Sequence, residues 1–271
     1  MDAGRSSERF AQLRGKHWQE PVTVAQPNER EDSVEVTVVL PMHNEAQMAV
    51  QTLRLIEANL RQLTPSYEVI IAEDGSSDGT DQIASKLARD ERITHLHSNR
   101  RLGRGLALKR AFKKSRGKIL VYMDSDLATN LRHLQQLIKA VLDQGGLVTG
   151  SRYVQGSRTK RPFVRQFASL AYNLIVRMLF KDSIHDHQCG FKAFSRTLMN
   201  NLLDEVQANG WFWDTEVIVR SKMSGHHVLE IPVEWVEPNM RKSKVNLLRD
   251  TIDMGLNAFK LWLTVDSRQR L

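Results

Sequence analysis

Lys118-Ile119-Leu120-Val121-Tyr122-Met123-Asp124-Ser125-Asp126 sets five consecutive apolar residues between a cation and two carboxylates that flank a serine. So short a run carries no helical period and reads as a strand buried on both faces, the habit of parallel sheets. The acids mark where the chain leaves the sheet for water. Similar runs stand on either side, at Val36 to Leu40, Tyr67 to Ala72, Ile93 to Leu96 and Leu147 to Thr149. Helical patterns fill the gaps over Glu45 to Leu63, Asp78 to Asp90, Gly105 to Ser115 and Leu131 to Gln144, most opening on a cap-like Asn, Asp or Ser. The alternation predicts an α/β fold, a Rossmann-like, mostly parallel sheet flanked by helices, with ligands in the crevice beyond the carboxyl ends of the strands.

Further out the pattern changes. Residues 1 to 33 are polar and aperiodic and read as a mobile arm, leaving one domain over 34 to 240 and a helical tail over 241 to 271. Arg165 to Phe180 and Val245 to Leu263 read as amphipathic helices, and His227 to Val236 as one more strand with Pro232 on an edge. In the last helix Leu248, Ile252, Leu256, Phe259 and Leu263 share a face opposite Arg249, Asp250, Asp253 and Lys260. That face either packs on the domain or lies in a membrane interface, which Trp262, Lys260 and Arg249 would suit.

The 271 residues are 41% hydrophobic and 26% charged with 15 Gly and 7 Pro, which excludes collagenous, low-complexity and wholly disordered classes. The single cysteine, Cys189, forms no internal disulfide. With no signal-like apolar segment and no run near the roughly 18 residues that span a bilayer, a cytoplasmic protein is expected, peripheral to any membrane it meets. Thirty-nine basic against 31 acidic residues give +8 and point to anionic partners: nucleic acid, phosphates or an anionic lipid surface. The excess is uneven. Asn99 to Lys118 holds nine cations and Ser151 to Lys181 seven, neither with an acid. Lys109 to Lys114 also fits the wet face of a helix.

Each strand expected to end in the crevice ends in a polar cluster: Pro41-Met42-His43-Asn44-Glu45, Glu73-Asp74-Gly75-Ser76-Ser77-Asp78-Gly79-Thr80 and Asp124-Ser125-Asp126. Asp124 and Asp126 can face one oxygen-preferring divalent ion that also holds diphosphate oxygens; their ordinary role would be to cap the following helix. Asp74 can accept hydrogen bonds from a nucleobase or ribose, or simply cap its turn, and His43 can lie against a base or merely pack. A phosphate-binding Gly-x-x-x-x-Gly-Lys-Ser/Thr loop, a Gly-x-Ser-x-Gly elbow and a His-Glu-x-x-His pair are absent from the sequence. The pairs His95/His97 and His185/His187 lack further visible ligands and read as non-metal.

The ordered set formed by these clusters, Asn99 with Gly103-Arg104-Gly105, Gly150-Ser151-Arg152-Tyr153 and Asp186-His187-Gln188-Cys189-Gly190-Phe191-Lys192 resembles the family 2 glycosyltransferases of GT-A fold, over about Val36 to Met254. It is similar in particular to the polyprenyl-phosphate sugar synthases. Trp213-Asp214-Thr215-Glu216, Glu234-Trp235 and Ser243-Lys244 look most like their dolichyl-phosphate glucosyltransferase branch. The resemblance implies that Pro41, His43 and Glu45 contact the nucleotide and Asp74 reads the base. It implies that Asp124 and Asp126 bind Mg2+ or Mn2+, that Arg152, Arg165 and Ser169 hold donor or acceptor phosphates, and that Ser243 and Lys244 close over the diphosphate. Ala128 stands where mannosyl-lipid relatives often carry a glutamine. The implied reaction is an inverting transfer of a hexose, first glucose from UDP-glucose and alternatively mannose from GDP-mannose, to dolichyl or polyprenyl phosphate at a cytosolic membrane face. A nucleic-acid-binding module, the rival from another class, leaves the paired acids at strand ends unexplained.

Overall fold

In Val36–Met42 (β1), Val36, Val38 and Leu40 belong to one hydrophobic layer and Val39 to another, so both faces of the strand are covered. The same holds for Tyr67–Glu73 (β2), where Val69 and Ile71 alternate with Ile70 and Ala72, and for Ile119–Met123 (β4). The structure, a computed structural model, describes residues 34–237 and 247–265. The predicted arm over 1–33, the expected boundary at 240/241, and Ser243 and Lys244 lie outside the described residues.

With Ile93–Leu96 (β3), Leu147–Ser151 (β5), Phe191–Ser195 (β7) and Val228–Pro232 (β8), these strands form one seven-stranded sheet in the order β3-β2-β1-β4-β7-β5-β8. β1, β2, β3 and β4 run parallel; β7 lies antiparallel between β4 and β5, and β8 is parallel to β5 on the far edge. One face carries the helices Ala49–Leu63 (α1), Thr80–Leu87 (α2) and Leu134–Gln144 (α4) through Leu53, Ile56, Ala84, Leu137 and Val141. The other carries Arg104–Lys114 (α3), Arg196–Glu205 (α6) and Trp213–Met223 (α7) through Leu108, Phe112, Leu202 and Val217. Phe163–Phe180 (α5) and Leu247–Thr264 (α8) pack on each other and on α7 around Tyr172, Val176, Phe180, Ala258 and Leu261.

Three expectations need correction. His227 to Val236 is not one strand: Val233 breaks it, and Glu234–Val236 (β9) pairs in parallel with Arg158–Lys160 (β6) in a separate two-stranded sheet. The helix expected from Glu45 starts at Ala49 because the preceding loop is tied to the 76–80 loop instead. Thr80 Oγ1 accepts from Glu45 N, Asp78 Oδ2 from Ala46 N, and Asn44 Oδ1 from Ser77 N. Side-chain caps are also scarcer than the sequence suggests: Met48, Gly79, Gly103 and His133 precede their helices without one.

Candidate active site

β1, β2 and β4 all release the chain at the same sheet end, so their polar clusters meet in one crevice of about 240 Å³. Pro41, His43, Glu45, Asp74, Asp124, Asp126, Arg152, Arg165 and Ser169 all line it. Of the residues expected to act, only Ser243 and Lys244 fall outside what is described.

The side of the crevice around Asp74 and His43 is built by exchange between loops. Asp74 is buried, and its carboxylate accepts from the backbone N–H groups of Leu102 (2.6 Å) and Gly103 (3.0 Å). It thus anchors the 99–103 segment as well as facing the crevice. Gly103 has φ +100°, and a Cβ there would meet Asn209 O at 2.4 Å, so the turn demands glycine. His43 Nδ1 is 2.8 Å from Asp74 O, which fixes the ring against the same loop.

At the centre, Asp124 and Asp126 face the crevice from a turn in which Asp126 Oδ1 accepts from Ala128 N and Leu127 has φ +51°. Neither caps α4; the short 3-10 turn before that helix is capped by Asn130. Gly190 backs Asp124 so closely that a Cβ would lie 2.0 Å from Asp124 Oδ2. A pair of carboxylates on one turn, open to the crevice, is an all-oxygen donor set that suits Mg2+ or Mn2+.

Below these acids lies a charge cluster that the sequence reading quoted but gave no role. Arg104 Nη2 contacts Asp124 Oδ1 and its Nη1 contacts Asp214 Oδ2, both at 2.6 Å. Asp214 Oδ1 accepts in turn from Lys192 Nζ (2.8 Å) and from the Tyr122 hydroxyl. Burial lifts the Asp214 carboxyl to about 6, against the pull of Arg104, and draws Lys192 down to about 7. The visible signal was a lysine inside the otherwise apolar strand Phe191-Lys192-Ala193-Phe194.

The side of the crevice formed by Arg152, Arg161 and Arg165 is cationic. Arg152 turns one edge of its fork to Asp186, Nε to Oδ2 at 2.7 Å and Nη2 to Oδ1 at 2.8 Å, which takes two of its N–H donors. Burial opposes that charge, but Asp186 outweighs it and raises the Arg152 pKa. Arg165 Nη1 pairs with Glu237 Oε1. Arg161, one of the seven cations of the Ser151 to Lys181 run, also lines the crevice; its Nε stands 4.0 Å from Glu237 Oε2, and its buried Nε and Nη1 have no hydrogen-bond partner among the described residues. Its guanidinium lies 5.3 Å from the centre of the Trp235 ring, with Arg152 5.6 Å from the same ring. Buried orphan donors fit an anion that arrives with the substrate.

The crevice wall continues from Ser169 and Tyr172 on α5 to Thr251 and Met254 on α8. Outside it the two helices expose Phe163, Val164, Phe167, Leu174 and Met178, together with Ile252, Leu256, Phe259 and Leu263. The last helix packs through Ala258 and Leu261, as one of the two readings of it expected, and leaves its other apolar side exposed. Among the described residues no helix is long and apolar enough to cross a membrane.

Residues 37–203 match the family model "Glycosyl transferase family 2". The chain is 46% identical over 242 residues to Glycosyltransferase AglD of Haloferax volcanii, covering 88% of this chain but only 38% of that protein's length. It is 30% identical to the Dolichyl-phosphate beta-glucosyltransferase of Drosophila melanogaster, over 89% of this chain and 78% of that one. Its fold is similar to that of glucosyl-3-phosphoglycerate synthase from Mycobacterium tuberculosis, solved with Mn2+, UDP and product. There the TM-score is 0.59 at 18% identity, covering 86% of this chain and 82% of that chain.

Proposed function

The chain belongs to glycosyl transferase family 2, and from that premise we propose that it transfers a hexose, glucose from UDP-glucose, to the phosphate of a polyprenyl or dolichyl phosphate at a membrane surface. The observation that carries this reading is one crevice with Asp124 and Asp126 at its centre, Arg161 and Arg165 at one side, and an exposed apolar helix pair continuing its wall. A water-soluble acceptor would not call for that apolar face.

Asp124 and Asp126 would hold Mg2+ or Mn2+, which when bound neutralises charge on the leaving diphosphate. Asp74, His43, Pro41 and Glu45 would seat the nucleoside, with the 102–103 backbone already fixed by Asp74. Arg161, Arg165 and Ser169 would hold the acceptor phosphate. A phosphate monoester with a second pKa near ~6 is largely dianionic at neutral pH, so its oxygen attacks the anomeric carbon without a strong base. The bond to the diphosphate oxygen breaks as the new carbon–oxygen bond forms, and a single in-line displacement inverts the anomeric centre. The burden on the protein is positioning and charge. Ser243 and Lys244 would cover the diphosphate.

The test is a screen of UDP-glucose, UDP-galactose and GDP-mannose against one polyprenyl phosphate in detergent with Mg2+ or Mn2+. Faster transfer from UDP-glucose supports the reading. Preference for GDP-mannose overturns the sugar, and transfer to no lipid phosphate overturns the acceptor class.

A further inference from the structure

At the carboxyl ends of β2 and β3, on the outer edge of the sheet and outside the crevice lining, three metal-binding side chains converge: Glu73, His95 and His97. The histidines are two apart on extended chain and therefore share a side; their ring centres are 5.9 Å apart. Glu73 ends the neighbouring strand with its side chain buried, aimed at the pair by the backbone N–H groups of Ser76 and Ser98. One donor atom from each of the three lies within 4.8 Å of the others.

We propose that Glu73, His95 and His97 form a second divalent-cation site, of the zinc class, distinct from Asp124 and Asp126. Two features of the geometry carry this. His97 Nδ1 faces Glu73 Oε2 at 2.6 Å while its Nε2 faces Asn99 Oδ1 at 2.9 Å. A cation bound at Nδ1 would leave Nε2–H to donate to Asn99 Oδ1. That is the arrangement of a metal-ligating imidazole whose far nitrogen is fixed by an oxygen. An ion pair between His97 and Glu73 alone would account for this contact but not for the second feature. His95 Nε2 is buried with no hydrogen-bond partner among the described residues.

Two imidazole nitrogens and a carboxylate oxygen suit Zn2+ better than Mg2+. A tetrahedral ion with bonds of about 2.0–2.1 Å needs donors about 3.4 Å apart, within reach of small side-chain rotations here. The fourth position is left to water. Such an ion would join β2 to the 97–99 segment, which leads directly to the amides that Asp74 holds. It would brace the Asp74 side of the crevice from behind without touching a ligand there.

The test uses tag-free full-length chain, stripped with a chelator, then titrated near neutral pH with Co2+ and with Zn2+ in competition with a chromogenic chelator. We expect one Zn2+ per chain, a four-coordinate Co2+ spectrum in the visible, and a rise in melting temperature. The double variant Asp124→Asn with Asp126→Asn keeps all three signals. His95→Gln and the more exposed His97→Gln lose affinity by more than the about 10–100-fold that follows loss of an outer-shell partner. Their metal-free melting curves report folding independently. Unchanged affinity in either histidine variant, loss of the ion in the Asp124/Asp126 variant, or wild-type binding weaker than on the order of 0.1 mM overturns the site.

Discussion

Arg104 Nη2 lies 2.6 Å from Asp124 Oδ1, so a carboxylate at the centre of the crevice is held by a nearly buried cation. The same guanidinium also satisfies Asp214, whose side chain is 1% exposed. Replacing Arg104 with Met strands Asp214 without its strongest partner, and breaking buried pairs in this way costs about 3–5 kcal/mol. Urea unfolding of Arg104→Met against wild type checks it. A loss below about 1 kcal/mol would mean that Lys192 and Tyr122 suffice for Asp214.

Asp126→Ala should leave the cooperative unfolding transition nearly unchanged and reduce transfer by more than about 100-fold, because the crevice-facing carboxylate would hold the cation that neutralises the leaving diphosphate and contributes little packing. Chelation of divalent ions should silence the wild-type enzyme and Mg2+ or Mn2+ should restore it. An active Asp126→Ala protein would remove this residue from the metal site.

Arg161→Ala and Arg165→Ala should differ from each other. Both face Glu237, but Arg165 Nη1 is in direct contact with Oε1, whereas Arg161 Nε stands 4.0 Å from Oε2 and its buried Nε and Nη1 make no hydrogen bond among the described residues. A lost charge-assisted contact costs about 1.5–3 kcal/mol, roughly 10- to 100-fold. We expect Arg161→Ala to raise KM for the lipid phosphate by that factor, Arg165→Ala by less, and neither to alter nucleotide-sugar binding measured alone. Equal losses for both ligands would reassign the pair to a structural role.

Vesicle sedimentation tests the apolar helix face. Phe163 is 80% exposed and Phe167 66%, with Leu256 and Phe259 open on the facing helix. The protein should sediment with anionic vesicles, with partial release by salt, and substitution of these four by serine should abolish it. Wild-type protein that ignores anionic vesicles at low salt would show that this face meets something else.

Acid should destabilise the fold through Asp182, which lies in the interior behind the crevice. Burial alone would raise its pKa, but the His187 hydrogen bond and charge, the Lys222 ammonium and the Ile184 N–H outweigh it and hold the carboxyl well below the usual range. A depressed carboxyl contributes its stability above the unfolded pKa of about 4 and loses it as pH falls toward the folded value. Melting temperature should therefore fall steadily below about pH 4, and Asp182→Asn should be less stable at neutral pH with a shallower acid slope. An unchanged slope would mean that other carboxylates carry the effect.

The parallel half of the sheet was legible because each strand is a short apolar run ending in a polar cluster, and those clusters line the crevice as expected. The antiparallel β7 was not, because Phe191-Lys192-Ala193-Phe194 carries a lysine whose buried partner, Asp214, lies 22 positions away. Local pattern cannot reveal a charge satisfied at that distance. The helix from Glu45 was placed too early for a related reason: the loop before Ala49 is held by Thr80 and Asp78, partners 35 and 32 positions away. Arg152 and Arg161 looked alike as basic residues in one run, and only the folded chain shows that the first is hydrogen-bonded to Asp186 while the second stands 4.0 Å from Glu237.

The position of β7 also governs how the polypeptide can acquire its shape as it leaves the ribosome. β4 and β5 never touch directly; each is zipped to Phe191–Ser195. Until that stretch emerges, a nascent chain holding β1 to β5 presents β4 as a raw edge with unfilled amide and carbonyl groups, and β5 has nowhere to dock. Translation arrested before residue 191 should yield a product captured by holdase chaperones and cut readily by protease, whereas release of a few dozen residues more should turn it abruptly resistant.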